Sequence, residues 1–279
     1  MPGAFMAELL KLRKRPATFI LLGVNVALVA LFGYFIAYLF VVVLPTDDGL
    51  PPGVIDALLA TLRPEAAGGY AVSNSSSISG PIALILGVLA TGSEYTLRTV
   101  RLMVTQRPRR VALLLGKLGA LAVGAVLLAI STLLSAVLSA TLIAVLEGQP
   151  TTPPSGSDLI AALGAAWLVL LAWVSLGVAL GVLLRGTGLP IGIGLVWGLV
   201  VEATFSALPF GGTIEAIKRG LLSVNASALG GSLTPGIDVT GGFGSVPEIE
   251  PVVAVAVLAG YVLVLGGVAV AVFARREIS

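Results

Sequence analysis

The sequence contains six stretches of about 20 or more mainly apolar residues, each long enough to cross the roughly 30 Å hydrocarbon core of a bilayer as a helix. The first has no charged residue in 28 positions, and Glu202 is the only ionisable acid or base within any of the six. We therefore predict an all-α integral membrane protein that forms a single transmembrane domain over residues 1–279. Its predicted spans are residues 17–44, 73–92, 118–146, 159–184, 189–208 and 251–274.

Composition supports this interpretation and excludes several classes of function. Only 11% of the residues are charged and 57% are hydrophobic, whereas a globular domain has about 25% charged residues. The chain has no cysteine and no histidine, which excludes disulfide frameworks and thiolate metal sites and removes the commonest general base. A net charge of +2 gives no reason to expect nucleic acid as a partner.

The basic residues predict the orientation, because short cytoplasmic loops retain Lys and Arg. With the six spans above, 13 of the 16 basic residues fall on one side, together with both chain ends. Ten of the 14 acidic residues fall on the other side. Both termini are therefore predicted to be cytoplasmic, and the even number of spans agrees with this distribution.

Two long segments, residues 45–72 and 209–250, are predicted on the outer side. In the second, residues 213–229 alternate short apolar pieces with charges, which favours interfacial or re-entrant helices over an exposed loop. The acids Asp47, Asp48 and Asp56 lie in the first segment without a second acidic cluster. We interpret them as residues of a solvated, Pro-rich loop and predict no metal site.

The N-terminal segment has the pattern of an interfacial helix, with apolar and charged residues interleaved before Pro16. Its apolar side is expected to face acyl chains and its basic side anionic head groups, so the lipid bilayer is its predicted partner. The residues that carry this prediction are Phe5, Leu9, Lys11, Arg13 and Lys14. The alternative is a charge cluster that only sets topology, and the two roles are compatible.

The chain lacks a nucleotide-binding motif. Gly116 and Lys117 are followed by Leu118, and Val111 stands where a phosphate-cradling loop needs glycine. We therefore predict that the chain is not an enzyme, holds no cofactor and would receive energy from ATP only through another chain. Glycines in the apolar stretches, such as Gly177 and Gly181, are interpreted as helix-packing positions.

The most specific motif runs from Gly92 to Lys117. After Gly92-Ser93-Glu94-Tyr95, helical spacing puts Glu94, Arg98 and Arg101 on one face, which predicts a short amphipathic helix over residues 94–105 that Pro108 ends. Glu94 can pair with Arg98, or with Lys117 at the start of the next span, where it would pin the two spans together. A simple positive-inside anchor is the alternative interpretation.

This run resembles the permease subunits of ABC-2 type ATP-binding-cassette transporters. The Gly-Ser-Glu-Tyr motif, the Thr99–Val100–Arg101 helix, the Arg-Pro-Arg-Arg turn and Leu-Leu-Gly-Lys follow one another in that family's order, and the match elsewhere is architectural. The resemblance implies a coupling helix that docks on a separate ATPase subunit. The residues it assigns to this contact are Glu94, Tyr95, Arg98, Arg101, Arg109 and Arg110.

The resemblance also implies the partners and the location. Two copies of the ATPase subunit would hold ATP and Mg, and a second permease protomer, expected to be identical, would complete the path. The assembly would be a multi-pass exporter in the plasma membrane of a prokaryote, moving an amphipathic or hydrophobic substrate such as a drug, a peptide or a lipid-like molecule.

Two other functions remain as alternatives. A stand-alone channel or secondary carrier should show several intramembrane ionisable residues or inverted repeats, and a membrane-embedded lipid-modifying enzyme should show clustered acids, His or Cys. Glu202 is the one intramembrane acid. It is expected either to line an exit path for a cationic substrate or, as we favour, to hold the outer helices by pairing with Lys218 or Arg219.

Overall fold

The computed structural model describes residues 2–43, 52–96, 110–207, 212–234, 236–237 and 249–275. Every regular element in these ranges is helical. In chain order they are α1 (Pro2–Lys14), α2 (Pro16–Leu28), a π-helical segment (Val29–Phe35), α3 (Ile36–Val43), α4 (Pro52–Thr61), a 3₁₀ turn (Pro64–Ala66), α5 (Ala67–Ser75), α6 (Ser79–Thr96), α7 (Arg110–Leu146), α8 (Gly156–Leu184), α9 (Gly188–Leu195), a second π-helical segment (Val196–Glu202), α10 (Ala203–Ala207), α11 (Thr213–Lys218), α12 (Leu222–Leu233) and α13 (Pro251–Arg275).

Five helical stretches in the described ranges are long and apolar enough to cross a membrane. A sixth candidate is a pair of helices, Pro64–Ser75 and Ser79–Tyr95, that are bent by 51° where they meet and form either a broken span or a re-entrant loop. The prediction of an all-α, multi-pass membrane protein is therefore confirmed. The five single stretches are Pro16–Phe40, Val111–Leu146, Gly156–Leu184, Gly188–Ser206 and Pro251–Arg275.

The structure differs most from the prediction at the second predicted span, because residues 73–92 do not form one straight helix. Pro81 has no N–H to donate to the carbonyl of Ser77, and its ring crowds that carbonyl, so a continuous helix through residues 76–78 is disfavoured. The indole of Trp173 donates to Ser76 Oγ at 2.9 Å and holds the break against α8. We call residues 76–78 the break.

The outer segments contain more helix than predicted. Residues 52–75 form α4, the 3₁₀ turn and α5 in place of a Pro-rich loop, so Asp56 lies in a helix. Asp47 and Asp48 lie outside the described residues. The apolar pieces over residues 213–229 do form short helices, α11 and α12, and half of the residues of α12 are buried.

The centre of the structure is α8, which packs against α5, α6, α7, α12 and α13. Glycines bring α6 and α8 together: a Cβ atom on Gly177 would lie 2.2 Å from the Leu84 carbonyl oxygen, and one on Gly87 would lie 2.4 Å from that of Val174. Gly181 meets Thr91 in the same way, so the packing role predicted for Gly177 and Gly181 is confirmed.

The contacts define two ends of the helical bundle. At one end α1 packs beside the last turns of α6 and the first turns of α7, and Gly92 of α6 closely approaches Gly186, just after α8. We call this the α1 end. At the opposite end, which we call the α12 end, α12 packs against α5 and the start of α13, and the Tyr38 hydroxyl donates to the Glu147 carboxylate.

Candidate functional site

Four charged side chains form a buried ion cluster at the α1 end. The Lys117 ammonium donates to Glu8 Oε2 at 2.9 Å, to Glu94 Oε1 at 2.6 Å and to the Ala90 carbonyl at 2.8 Å. Lys11 pairs with Glu8 Oε1 at 2.5 Å and with Glu94 Oε1 at 3.3 Å. The cluster joins three helices, because Glu8 and Lys11 lie on α1, Glu94 on α6 and Lys117 on α7.

The ion cluster is largely removed from solvent. The side chains of Lys117, Glu94 and Glu8 are 8%, 9% and 11% exposed, whereas that of Lys11 is 33% exposed. Burial alone would raise the pKa of Glu8, but the positive charges of Lys117 and Lys11 and their hydrogen bonds outweigh it. The pKa of Glu8 therefore lies below its ordinary value of 4.5, so this carboxyl is ionised at neutral pH.

Local packing sets α1 in place for these ion pairs. The backbone of Ala4 and Phe5 lies directly over Gly116, where a Cβ atom would come within 2.9 Å, and the Phe5 ring covers Gly119. One turn further along α1, the Glu8 side chain reaches Lys117. At the end of the helix the Arg15 guanidinium donates to the Leu89 carbonyl at 3.3 Å. Small residues on α7 therefore let α1 approach closely enough for the ions to meet.

The structure revises which faces of α1 are covered. Phe5 and Leu9 are partly buried, and the Lys11 ammonium, expected among head groups, lies in the ion cluster. The outward face carries Met6 and Leu10, which are 58% and 52% exposed, followed by the exposed Arg13 and Lys14. A helix that buries charges and exposes apolar side chains suits an apolar surrounding, which is consistent with an interfacial position.

The predicted coupling residues lie only partly within the described ranges. Glu94 and the half-buried Tyr95 occupy the last turns of α6. Arg98, Arg101 and Arg109 lie outside the described residues, as does the side chain of Arg110. Of the two partners that the sequence leaves open for Glu94, the structure brings Lys117 to it. The ends of α6 and α7 are therefore joined directly on either side of the predicted coupling segment.

The intramembrane acid Glu202 is also buried, with 1% of its surface exposed, and it ends the second π-helical segment. Its carboxylate accepts hydrogen bonds from the backbone N–H groups of Leu222, at 3.2 Å, and Ser223, at 2.8 Å. The Trp197 indole donates to it at 3.3 Å. A carboxylate in a span costs at least about 2.5 kcal/mol, so these three donors explain how it is accommodated.

These partners replace the predicted ones. Arg219 pairs with Glu215 at 3.1 Å, and the Lys218 ammonium donates to the Ser206 carbonyl at 3.3 Å. Glu202 instead caps the start of α12, where Leu221 has no side chain that could accept from the first N–H groups. Negative charge at a helix N-terminus is favourable, so the carboxylate and α12 stabilise each other.

Sequence reasoning missed a polar contact between the first span and its neighbours. Asn25 of α2 is fully buried and donates through Nδ2 to Ser131 Oγ and Thr132 Oγ1, both at 2.9 Å. Ser79, at the start of α6, lies 3.0 Å from the Thr132 hydroxyl. The signal was present, since Asn25 is the only amide side chain in the uncharged first stretch.

The two polar centres each connect different helices. Within the ranges that the structure describes, no three acidic side chains gather where they could hold a metal ion. The ion cluster links α1, α6 and α7 at one end, and Glu202 links the stretch Gly188–Ser206 to α12 at the other. No protein-family model, no curated protein and no solved structure matches the chain.

Proposed function

We propose that the chain is the permease subunit of an ATP-driven exporter of the ABC-2 type, powered by a separate ATPase subunit. The observation that carries the proposal is the ion cluster at the base of the motif run 92–117. Glu94 lies in the last turn of α6, Lys117 lies in the first turns of α7, and their side chains meet at 2.6 Å in a buried position.

This arrangement suits a docking segment. A partner that moves residues 97–109 would displace the ends of α6 and α7 together, because buried ion pairs resist separation of their partners. Glu8 extends the same connection to α1. Arg98 and Arg101 are predicted to pair with acidic groups on the ATPase subunit. Arg109 and Arg110, at the turn that returns into α7, are predicted to belong to the same contact.

The proposal includes the orientation and the assembly. The α1 end would face the cytoplasm, in agreement with the basic residues of α1, and the bent pair would be counted as the second of six spans. Two identical permease protomers and two ATPase subunits would form the exporter, with ATP and Mg bound by the ATPase. An amphipathic or hydrophobic substrate suits a path between such apolar helices. The location would be the plasma membrane of a prokaryote.

Affinity purification of the tagged chain from its native membranes tests this function. We expect an ATPase subunit with a phosphate-binding loop to copurify in about equal amount, and Arg98→Ala with Arg101→Ala to release it while leaving the permease inserted. Arg13→Ala with Lys14→Ala is the matched control, because it removes the same charge from an exposed part of the same end. Absence of any ATPase, or an equal loss in the control, would contradict the proposal.

A further inference from the structure

We propose that Glu202 is a latch that holds a movable pair of outer helices, α5 and α12, against the fifth span. The inference rests on contacts at the α12 end and does not depend on the proposed function. Three features carry it: the tight joint between α5 and α12, the break that connects α5 to α6, and the Glu202 hydrogen bonds to the start of α12.

The helices α5 and α12 are joined closely enough to move as one body. A Cβ atom on Gly69 of α5 would lie 2.6 Å from the carbonyl oxygen of Gly230 in α12, and one on Gly230 would lie 2.0 Å from Ser73 Oγ. Thr234, just after α12, also covers Gly69. Backbones in direct contact over glycine have little freedom to slide, so we name α5 and α12 together the outer pair.

The outer pair packs against α8 and is connected to α6 through the break in the helix. The break at residues 76–78 separates α5 from α6, and the two helices meet there at 51°. Beyond the break α6 packs along α8 through Gly87 and Gly177, so it belongs to the fixed core. Backbone without a continuous helical ladder absorbs changes in dihedral angle more readily than the helices on either side of it.

On the opposite side, polar groups from two spans hold the turn that begins α12. Glu202 accepts from the N–H groups of Leu222 and Ser223, and the Tyr261 hydroxyl of α13 donates to the Gly220 carbonyl at 2.9 Å. Glu202 makes two hydrogen bonds to this turn and Tyr261 makes one, so Glu202 provides the larger share of these polar contacts.

The backbone around Glu202 is specialised for this contact. The fifth span changes from α-helix to π-helix over Val196–Glu202, a geometry that is rare and occurs often at functional sites. Only 17% of the most apolar 18 residues of Gly188–Ser206 are buried, and Val196, Leu199 and Val200 are exposed. Glu202 is one of three buried residues of this stretch, with Pro190 and Gly194, and its carboxyl group accepts the hydrogen bonds from the start of α12.

Cysteine accessibility tests the latch, because the natural chain has no cysteine and gives no background. Ala226→Cys places a thiol at a fully buried position of α12, and Ala166→Cys places one at a fully buried position of α8. Ser232→Cys places a thiol at an exposed position and gives the labelling rate of a fully accessible group. Labelling by a membrane-impermeant maleimide is followed in proteoliposomes.

Glu202→Gln should raise the labelling rate at Ala226→Cys by about tenfold. The loss of a charge-assisted hydrogen bond shifts the equilibrium between the attached and the detached outer pair by about this factor. The rate at Ala166→Cys should not change. Glu215→Gln, which removes an exposed carboxylate of neighbouring α11, is the matched control and should leave both rates unchanged.

Two results would overturn the latch: an unchanged rate at Ala226→Cys, or an equal rise at Ala166→Cys, which would mean general loosening of the fold. If Glu202→Gln does not accumulate in the membrane, Tyr261→Phe is tested instead, because it removes the neighbouring hydrogen bond to the Gly220 carbonyl. A severalfold rise confined to Ala226→Cys would then support the latch, and no rise would refute it.

Discussion

Replacing Lys117 by methionine keeps most of the side-chain volume and removes the ammonium at the centre of the ion cluster. The Glu8 and Glu94 carboxylates, whose side chains are 11% and 9% exposed, then lose their shared Lys117 partner, and among the described residues the more exposed Lys11 remains beside them. Removing one partner of a buried ion pair costs about 3 to 5 kcal/mol, because a charge is left without compensation. At about 2 to 4 °C per kcal/mol, the midpoint of thermal unfolding should fall by about 6 to 20 °C.

Thermal unfolding in detergent, followed by circular dichroism at a fixed scan rate, measures this effect. Lys14→Met is the matched control, because Lys14 is exposed at the end of α1, the helix that contributes Glu8 and Lys11 to the ion cluster, and exposed changes stay within about 0.5 kcal/mol. Adding Glu8→Gln and Glu94→Gln to Lys117→Met should recover much of the loss, since neutral amides leave no uncompensated charge. If Lys117→Met melts like Lys14→Met, or the triple variant melts no higher than the single one, the reasoning about the cluster is refuted.

Three further outcomes follow from the packing and the charges. Gly177→Ala should disrupt the contact between α6 and α8. Gly164→Ala on the same helix meets open space and should be neutral or stabilising by up to about 1 kcal/mol. The accumulation and the melting temperature of the two variants test this difference. The pKa of Glu8 is lowered in the folded protein, so the ionised carboxylate contributes fully to stability above pH 4.5 and this contribution is lost as the pH falls through the lowered pKa. Below pH 4.5, the melting temperature should therefore fall more steeply with decreasing pH for the wild type than for Glu8→Gln. Asn25→Leu removes the contact to Ser131 and Thr132 and should cost about 0.6 to 1.7 kcal/mol in the same assay; an unchanged melting temperature would contradict the assigned contact.

The apolar stretches were predictable because a hydrocarbon core demands a minimum helix length and tolerates few charges. Residues 159–184 and 251–274 were placed within a few residues of α8 and α13 for this reason. The break at residues 76–78 was not predicted, although Pro81 is visible in the sequence. Proline disfavours a straight helix, but the angle and the contact with Trp173 depend on how α8 packs.

The sequence indicated which polar residues need partners, but it identified those partners only in part. Glu94 could be assigned to Lys117 as one of two choices, because the two residues flank a short connection. Glu8 was not assigned to the cluster, since nothing in the sequence states that α1 folds back onto Gly116. Glu202 was predicted to pair with Lys218 or Arg219. Backbone N–H groups at the uncapped start of α12 donate to its carboxylate instead. The sequence alone does not show where such N–H groups lie.

We propose that residues 94–110 pass motion from an ATPase subunit to the membrane helices, and the rate of ATP hydrolysis by the assembled complex in proteoliposomes measures this coupling. A charge-assisted contact across an interface loses about 2 to 5 kcal/mol when it is truncated. Arg98→Ala with Arg101→Ala should therefore abolish substrate-stimulated hydrolysis while the permease stays inserted, and Arg13→Ala with Lys14→Ala should retain it. Undiminished substrate stimulation in the Arg98 and Arg101 variant would contradict the account.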